Sequence, residues 1–239
     1  MIMHGFADAA ARGDGAAMAA LFAEDVTYHT PTLTTDLHGK DLTLRYLAEG
    51  TRIVDDLEYT DQVSDDERLI LFWKGILDQR EISGATVLAD EAGGLVRDIT
   101  VLQRPWPVTA NFRDGILPAL AGAVPLPAWQ LDDRKAPAPD PDAGAGQRPG
   151  GPIPLAPDIA LHDAMLTKTL HGRENVEAYH QLIAGIQGPR AYLARFTPPG
   201  RLVEYWNCVI DGHFLQGVDD FKLDGNGRVA DQTVWLRPW

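Results

Sequence analysis

Cysteine is almost missing from this chain, because Cys208 is the single cysteine among 239 residues. One cysteine can form neither an internal disulfide nor a cysteine-based zinc cluster, and it is most often a small buried apolar residue. Long hydrophobic runs are also missing, since none approaches the roughly 18 residues that a membrane span needs. The N-terminal sequence has no basic start followed by an apolar run, so we expect no signal peptide and a cytosolic protein with no membrane partner.

Positive charge is scarce as well. Lysine and arginine number 21 against 34 aspartates and glutamates, which gives a formal net charge of −13, and the basic residues form no cluster. Because nucleic-acid binding needs a basic face, we expect no nucleic-acid partner. The expected partners are an apolar small molecule and a second copy of the fold, either within the chain or in a homodimer.

Several catalytic signatures are absent too. The sequence has no Gly-x-Ser-x-Gly motif, no glycine-rich phosphate loop before a helix and no pair of histidines at metal-ligand spacing. We therefore expect neither nucleophilic catalysis nor a metal, and we expect no cofactor.

What the sequence does contain is an internal repeat. It reads TVLQRPW at Thr100 and TVWLRPW at Thr233, 133 positions later. In this register, 23 of 82 ungapped positions from Asp25 onward are identical, whereas average composition gives about 5 or 6 by chance. A period of this length predicts two copies of one domain rather than a solenoid.

Composition marks the boundary between the copies. Residues Ala136 to Pro157 include seven prolines and four glycines and show no apolar periodicity, which is typical of a linker. We expect a first domain at 1–124, a linker at 125–157 and a second domain at 158–239.

Each copy combines one helical segment with three strand-like runs. Apolar residues at helical spacing follow Gly39 and Gly172, and the first copy also begins with two short helices, the second of them capped by Asp14. The turn DGNG at Asp224 indicates a hairpin. This order predicts an α+β fold with a curved antiparallel sheet wrapped around helices. The predicted strands are Arg68–Leu77, Gly84–Ala89 and Leu95–Leu102 in the first copy, and Arg201–Ile210, Gly217–Leu223 and Val229–Leu236 in the second.

Three stretches carry a resemblance to a known family. They are GDGAAMAALFAEDV from Gly13, YHTPTL followed by HGKD from Tyr28, and DGNGRVADQTVWLRP from Asp224. The chain resembles the SnoaL-like polyketide cyclases and ketosteroid isomerases of the nuclear transport factor 2-like superfamily, from Met3 to about Asp114 and again from Pro157. The resemblance implies two cone-shaped α+β barrels, each with an apolar pocket, packed sheet to sheet as a fused version of a homodimer.

The segment Ala110–Gly122 has apolar residues at helical spacing, and the second copy lacks a counterpart of the two opening helices. This segment either extends the first domain or covers the pocket of the second as a lid. The sequence leaves both alternatives open.

The two copies differ at three positions where an inward-facing carboxylate is predicted for the second copy only. Strand alternation places Asp163, Glu204 and Asp219 on the same faces as apolar residues. Their counterparts in the first copy are Thr30, Leu71 and Thr86. Close carboxylates in an apolar pocket raise the pKa of one of them, which yields an acid and a base near neutral pH. We therefore expect a catalytic second domain and a first domain that acts as scaffold.

The resemblance assigns roles to these positions. Asp163 falls at the general base of the isomerases, and Asp219 falls at their protonated hydrogen-bond donor to the developing oxyanion. Glu204 or His162 is expected to tune the pair. His162 and His171 have counterparts in the first copy, which favours structural roles, although His162 adjoins Asp163. The candidate substrate-binding residues are Trp206, Tyr192, Phe221, Cys208 and His171.

Together these features predict a cofactor-free acid/base enzyme that acts on an apolar molecule of natural-product type. Polyketide-type cyclisation, isomerisation and epoxide opening are all compatible with paired carboxylates. The alternative is a non-catalytic protein whose two domains bind a small molecule or a protein.

Overall fold

The computed structural model describes residues 5–33, 35–90, 94–120, 148–210 and 212–238. The chain divides into two compact units, Met1–Leu131 and Asp132–Trp239, and each has a hydrophobic core of its own. No helix in the described ranges is long and apolar enough to cross a membrane.

The first unit begins with two short helices, α1 (Gly5–Ala11) and α2 (Gly15–Leu21). The side chain of Asp14 accepts a hydrogen bond from the backbone N–H of Ala17 and so caps α2. Both helices and the cap match the prediction. Phe6 of α1 and Met18 of α2 are buried in the core of this unit.

A longer helix and a sheet complete the first unit. Strand β1 (Phe22–His29) and the short β2 (Leu37–His38) lead to α3 (Lys40–Ile53), which begins after Gly39 in a left-handed conformation with φ of 93°. The sheet runs β3-β4-β5-β6 with antiparallel pairing, and β1 adds parallel to β6. Its strands are β3 (Asp55–Ser64), β4 (Arg68–Leu77), β5 (Arg80–Asp90) and β6 (Val96–Arg104).

The segment after β6 belongs to the first unit in its described part. Helix α4 (Trp106–Ile116) and a 3₁₀ turn (Leu117–Leu120) follow the last strand. Phe112 and Ile116 of α4 are buried in the core of the first unit. Of the two alternatives for this segment, the extension of the first domain is therefore the one found up to position 120.

The second unit repeats the strand order without a helical N-terminal pair in its described part. Its strands pair in the order β9-β10-β11-β12, antiparallel throughout, with β7 parallel to β12 and β8 antiparallel to β7. The elements are β7 (Leu155–His162), β8 (Leu170–His171), α5 (Arg173–Ala184), β9 (Ala191–Phe196), β10 (Arg201–Ile210), β11 (His213–Leu223) and β12 (Val229–Pro238).

The α+β fold class is confirmed in both units, with one correction. Within each unit the sheet is open rather than closed into a barrel, because the outer strands β3 and β9 each pair with a single described neighbour of their own unit. Strands β1, β4 and β5 begin 133 positions before β7, β10 and β11. The predicted strands β4 and β10 have the observed bounds, and the other four are longer than predicted.

The boundary of the second unit lies earlier than predicted. Most of the expected linker, up to position 147, lies outside the described residues. Residues 148–157, however, are part of the second unit: Arg148 makes an ion pair with the buried Glu204, Ile153 packs on the core, and β7 begins at Leu155. A domain start at 158 is therefore wrong, because apolar residues among the prolines are buried against the sheet.

Candidate active site

The three carboxylates singled out by the sequence are all buried in the second unit. Glu204 and Asp219 have no exposed surface, and Asp163 keeps 8%. Glu204 of β10 and Asp219 of β11 are paired residues on adjacent antiparallel strands. The predicted inward orientation of all three is therefore observed.

Asp219 accepts hydrogen bonds from three side chains. Its Oδ2 lies 2.7 Å from an Nη atom of Arg190 and 2.9 Å from Nε1 of Trp206, and its Oδ1 lies 3.4 Å from Nε2 of Gln232. The Arg190 guanidinium also stacks on the Trp206 ring, with its carbon 3.8 Å from the ring centroid. All three partners donate to Asp219, so the carboxyl group is an acceptor in these bonds, whereas the resemblance implied a hydrogen-bond donor at this position.

Glu204 is likewise neutralised by arginine. Both of its oxygens accept from Nε of Arg148, at 3.1 and 3.0 Å, and Arg195 Nε lies 3.7 Å away. Removing either partner would leave an uncompensated buried charge. Glu204 therefore holds Arg148 in place rather than acting as a free base.

Asp163 differs from the other two in having no ion-pair partner among the described residues. Its Oδ1 accepts a hydrogen bond of 2.8 Å from the backbone N–H of Met165. Burial raises the pKa of Asp163, and the negative charge of Asp219 adds to this. The Met165 N–H, the Tyr179 hydroxyl and the charge of Arg190 act in the opposite direction. The result is a carboxyl group whose proton affinity is above the ordinary value.

A cavity of about 510 Å³ lies in the second unit between the segment before β7, α5 and the sheet. Its polar lining includes Arg148, His180 and Gln232. Burial lowers the pKa of His180 despite the opposing charge of Asp219, so its imidazole is neutral at pH 7. The three carboxylates do not line this cavity, but Gln232 joins it to Asp219. The apolar walls are formed by Pro152, Ile153, Pro154, Leu155, Phe221 and Val229.

Two of the predicted histidines lie away from this cluster. His162 points to the opposite side of β7, where its ring nitrogens contact Asp231 at 3.2 Å and Thr169 at 3.0 Å. His29 of the first unit is held in the same way by Asp98 and by a second aspartate. His171 is exposed on β8. Neither His162 nor His171 is therefore a residue of the pocket, because alternation along β7 and β8 directs them outward.

The other predicted wall residues surround the cluster. Phe221 lines the cavity, Trp206 and Cys208 are fully buried, and Tyr192 packs against the same core. Burial raises the pKa of the Cys208 thiol to about 11, so it stays protonated at neutral pH.

Four polar residues of the cluster were missed by sequence reasoning, namely Arg148, Tyr179, His180 and Arg190. A signal for two of them exists in the repeat: His180 and Arg190 align with Leu47 and Leu57 of the first copy. Arg148 precedes the aligned region, and Tyr179 matches a tyrosine, so neither shows as a difference.

Among its described residues, the corresponding interior of the first unit is largely filled by side chains. Its cavity is only about 50 Å³, and aromatic residues of α1, α3 and α4 line it. Thr30 sits in a buried hydroxyl cluster, with its Oγ1 2.8 Å from that of Thr32 and 2.5 Å from the Tyr46 hydroxyl. Thr86 accepts from Trp73 at 3.1 Å, as Asp219 accepts from Trp206.

Replacement of Asp163 by asparagine is expected to stabilise the protein at neutral pH. A carboxyl with a raised pKa in the folded state favours folding when protonated and opposes it when ionised, so the penalty grows as pH rises above the ordinary value of 3.8. The asparagine side chain can keep the bond from Met165. We expect a gain of about 1 kcal/mol in the free energy of unfolding at pH 7.5 and a smaller gain at pH 4, measured by urea denaturation. Equal stability of both proteins at the two pH values would contradict the raised pKa.

Comparison with known proteins gives one family match. Residues 3–97 match the model of the SnoaL-like domain. No curated protein matches the sequence. Among solved structures, a steroid delta-isomerase from Pseudomonas aeruginosa is 18% identical over 51% of this chain and 90% of its own, with a TM-score of 0.48.

An uncharacterized protein from Silicibacter pomeroyi with a cystatin-like fold is 22% identical, covers 51% of this chain and 87% of its own, and also has a TM-score of 0.48. At these scores the structural similarities add nothing to the family match. The family match lies within the first unit, and over residues 3–97 this chain is similar to the SnoaL-like domain.

Proposed function

We propose that the second unit is a cofactor-free proton-transfer enzyme of the isomerase or cyclase type, with Asp163 as its general base. One observation carries the proposal: of the four carboxylates that are buried among the described residues, Asp163 alone has no ion-pair partner there, and burial raises its pKa. A base whose pKa is raised toward the working pH takes a proton most effectively. The family match supports this reaction class.

In this proposal, Asp163 removes a proton from a carbon next to a carbonyl group and becomes a carboxylic acid. The electron pair of the broken C–H bond moves onto the carbonyl oxygen, and the proton returns from Asp163 to another atom of the substrate. The Tyr179 hydroxyl, which interacts with the Asp163 carboxyl, can donate a hydrogen bond during this step. His180, neutral and at the cavity wall, can exchange a proton with the substrate or solvent.

Asp219 acts as a positioning residue in the same scheme. It fixes Arg190 and Trp206, and its charge raises the pKa of Asp163. The first unit, with its filled interior and Thr30 in place of the base, is the scaffold. The common spacing of the elements supports a duplication in which one copy kept or gained the chemistry.

The test is deuterium exchange at carbon. Wild-type protein is incubated in D₂O with a panel of apolar ketones, including tetralone-type and steroid-type carbonyl compounds, and deuterium incorporation is followed by mass spectrometry. We expect exchange of the α-protons of at least one compound to be faster than in buffer alone. Saturable binding of these compounds without any exchange would instead support a non-catalytic binding protein.

The variant Asp219→Asn should shift the pH dependence of that exchange to lower pH. Removing the negative charge of Asp219 lowers the pKa of Asp163, and the unpaired charge of Arg190 lowers it further. A base works when deprotonated, so the rising limb of the rate against pH moves toward acid. Asp220→Asn, in the neighbouring ion pair with Arg201, is the control. A limb that stays in place in Asp219→Asn would show that Asp163 is not the titrating group.

A further inference from the structure

The cavity of the second unit has an arginine in its wall, Arg148, whose N–H donors are not all used by the described residues. The Arg148 guanidinium lies over the Phe221 ring, 4.3 Å from its centroid, and lines the cavity. One edge faces Glu204, with Nε at 3.0 Å and one Nη at 2.9 Å from Oε2. A guanidinium has five N–H donors, and no other residue within the described ranges accepts a hydrogen bond from Arg148.

The charge around this edge is unbalanced. Glu204 is fully buried and carries a single negative charge, yet two arginines share it, because Arg195 Nε lies 3.7 Å from Oε1. His180, which lines the same cavity, is neutral at pH 7, since burial lowers its pKa. Arg190 does not contribute free charge, because it pairs with Asp219 at 2.7 Å. An excess of positive charge is therefore left around the buried Glu204, on the side where Arg148 meets the cavity, since the other carboxylate of the lining, Glu177, is exposed to solvent on α5.

The cavity also has an apolar wall, beside the polar residues Glu177, Gln181 and Gln232. Ile153, Leu155, Phe221 and Val229 line the same space, which at about 510 Å³ has the size of small-molecule sites. A site of this kind binds a molecule with an apolar body and one anionic end, because charge-assisted bonds to arginine are strong and directional.

We propose that this cavity binds an apolar organic anion, with a carboxylate or a similar acidic group held by Arg148. The proposal deepens the proposed function and rests on it for the identity of the cavity as a substrate site. In that scheme the anionic end fixes the substrate, and the carbonyl-bearing end reaches toward His180 and the buried cluster. It predicts that keto acids outperform neutral ketones of the same shape in the exchange reaction.

Binding of two matched fluorescent probes tests the proposal without any substrate. The anionic probe is 1-anilinonaphthalene-8-sulfonate, and the neutral probe is N-phenyl-1-naphthylamine, which has the same rings without the sulfonate. We expect Arg148→Gln to weaken binding of the sulfonate about tenfold, the scale of a lost charge-assisted bond, and to change the neutral probe less than twofold. Arg97→Gln, which removes an exposed arginine of the first unit, should change neither.

The variant Glu204→Gln should change the affinity for the sulfonate in the opposite direction. Removing the carboxylate that competes for Arg148 should strengthen sulfonate binding about threefold or more, which a merely structural role for Arg148 would not produce. Because Arg148→Gln leaves Glu204 buried without its main partner, the double variant Arg148→Gln/Glu204→Gln provides a neutral pair of similar shape. It should bind the sulfonate as weakly as Arg148→Gln and the neutral probe as well as the wild type.

Equal losses for both probes, unchanged sulfonate binding in Arg148→Gln and in the double variant, or no binding of either probe to the wild type would overturn the proposal. Asp163→Asn separates it from the proposed function. That variant should bind the sulfonate as the wild type does while losing exchange. If the wild type binds the sulfonate as expected but neither it nor any variant catalyses exchange, the proposed enzyme activity is refuted and the proposed anion site is not.

Discussion

Asp163→Asn is expected to lower the rate of proton exchange by at least two orders of magnitude while the protein stays folded. A positioned general base contributes about 10² to 10⁴ to the rate, and asparagine cannot accept a proton at neutral pH. The side chain keeps its shape and its bond from the Met165 N–H, so the loss reflects chemistry rather than folding. Single-turnover exchange measured with saturating ketone gives this rate directly.

The first unit supplies the matched control for this result. Thr30→Ala and Thr86→Ala alter the equivalent positions of the scaffold, and each removes a buried hydrogen bond worth about 1 kcal/mol. Both should lower stability and leave the exchange rate within a factor of about two. The double variant Asp163→Asn/Asp219→Asn should exchange protons at nearly the same rate as Asp163→Asn alone, since the effects of residues that act together are not additive. Full activity in Asp163→Asn would end the proposal.

Gly217→Ala is expected to destabilise the second unit by about 3 kcal/mol. Gly217 of β11 pairs directly with Trp206 of β10, and a Cβ at this position would overlap the indole ring. The ring cannot yield easily, because its Nε1 is bonded to Asp219 and its face carries Arg190. The midpoint of thermal unfolding of the second unit should fall by roughly 15 °C, and Arg190 and Asp219 should lose their fixed positions beside the ring.

The first unit contains the same arrangement without the charges. Gly84 pairs with Trp73, and a Cβ there would overlap that ring as well. Gly84→Ala should therefore destabilise the first unit by a similar amount but leave anion binding to the second intact. Gly225→Ala, in an open turn where nothing lies near the added carbon, is the neutral control. If Gly217→Ala melts at the wild-type temperature, Trp206 is not packed against this position as described.

The repeat explains why so much of the fold was predictable from one sequence. Strands β4 and β10 were predicted with their observed bounds because both copies had to satisfy the same alternation of buried residues. The three inward carboxylates were found by the same comparison. Where only one copy carried a signal, as for the proline-rich residues before Leu155, the start of the second unit was placed too late.

The roles of the carboxylates could not be predicted in the same way. A role depends on which cation lies within reach, and Arg148 and Arg190 come from segments distant in sequence from Glu204 and Asp219. Alternation states which way a side chain points but not what meets it there. Strand alternation already predicts that His162 points away from Asp163. The structure adds the contact that holds His162 there, which is with Asp231.

The pairs Arg148–Glu204 and Arg190–Asp219 constrain the order in which this interior could have evolved. If the second copy once had the leucine and threonine still present at positions 71 and 86, a new glutamate or aspartate arriving first would have been an uncompensated buried charge, costly enough to unfold a marginal domain. An arginine arriving first could extend its charged end to water along its aliphatic stem. From such an ancestor, the path that avoids an uncompensated buried charge acquires each arginine first and its acidic partner second. Reversion of the pairs should follow the reverse path, with the carboxylate replaced before its arginine.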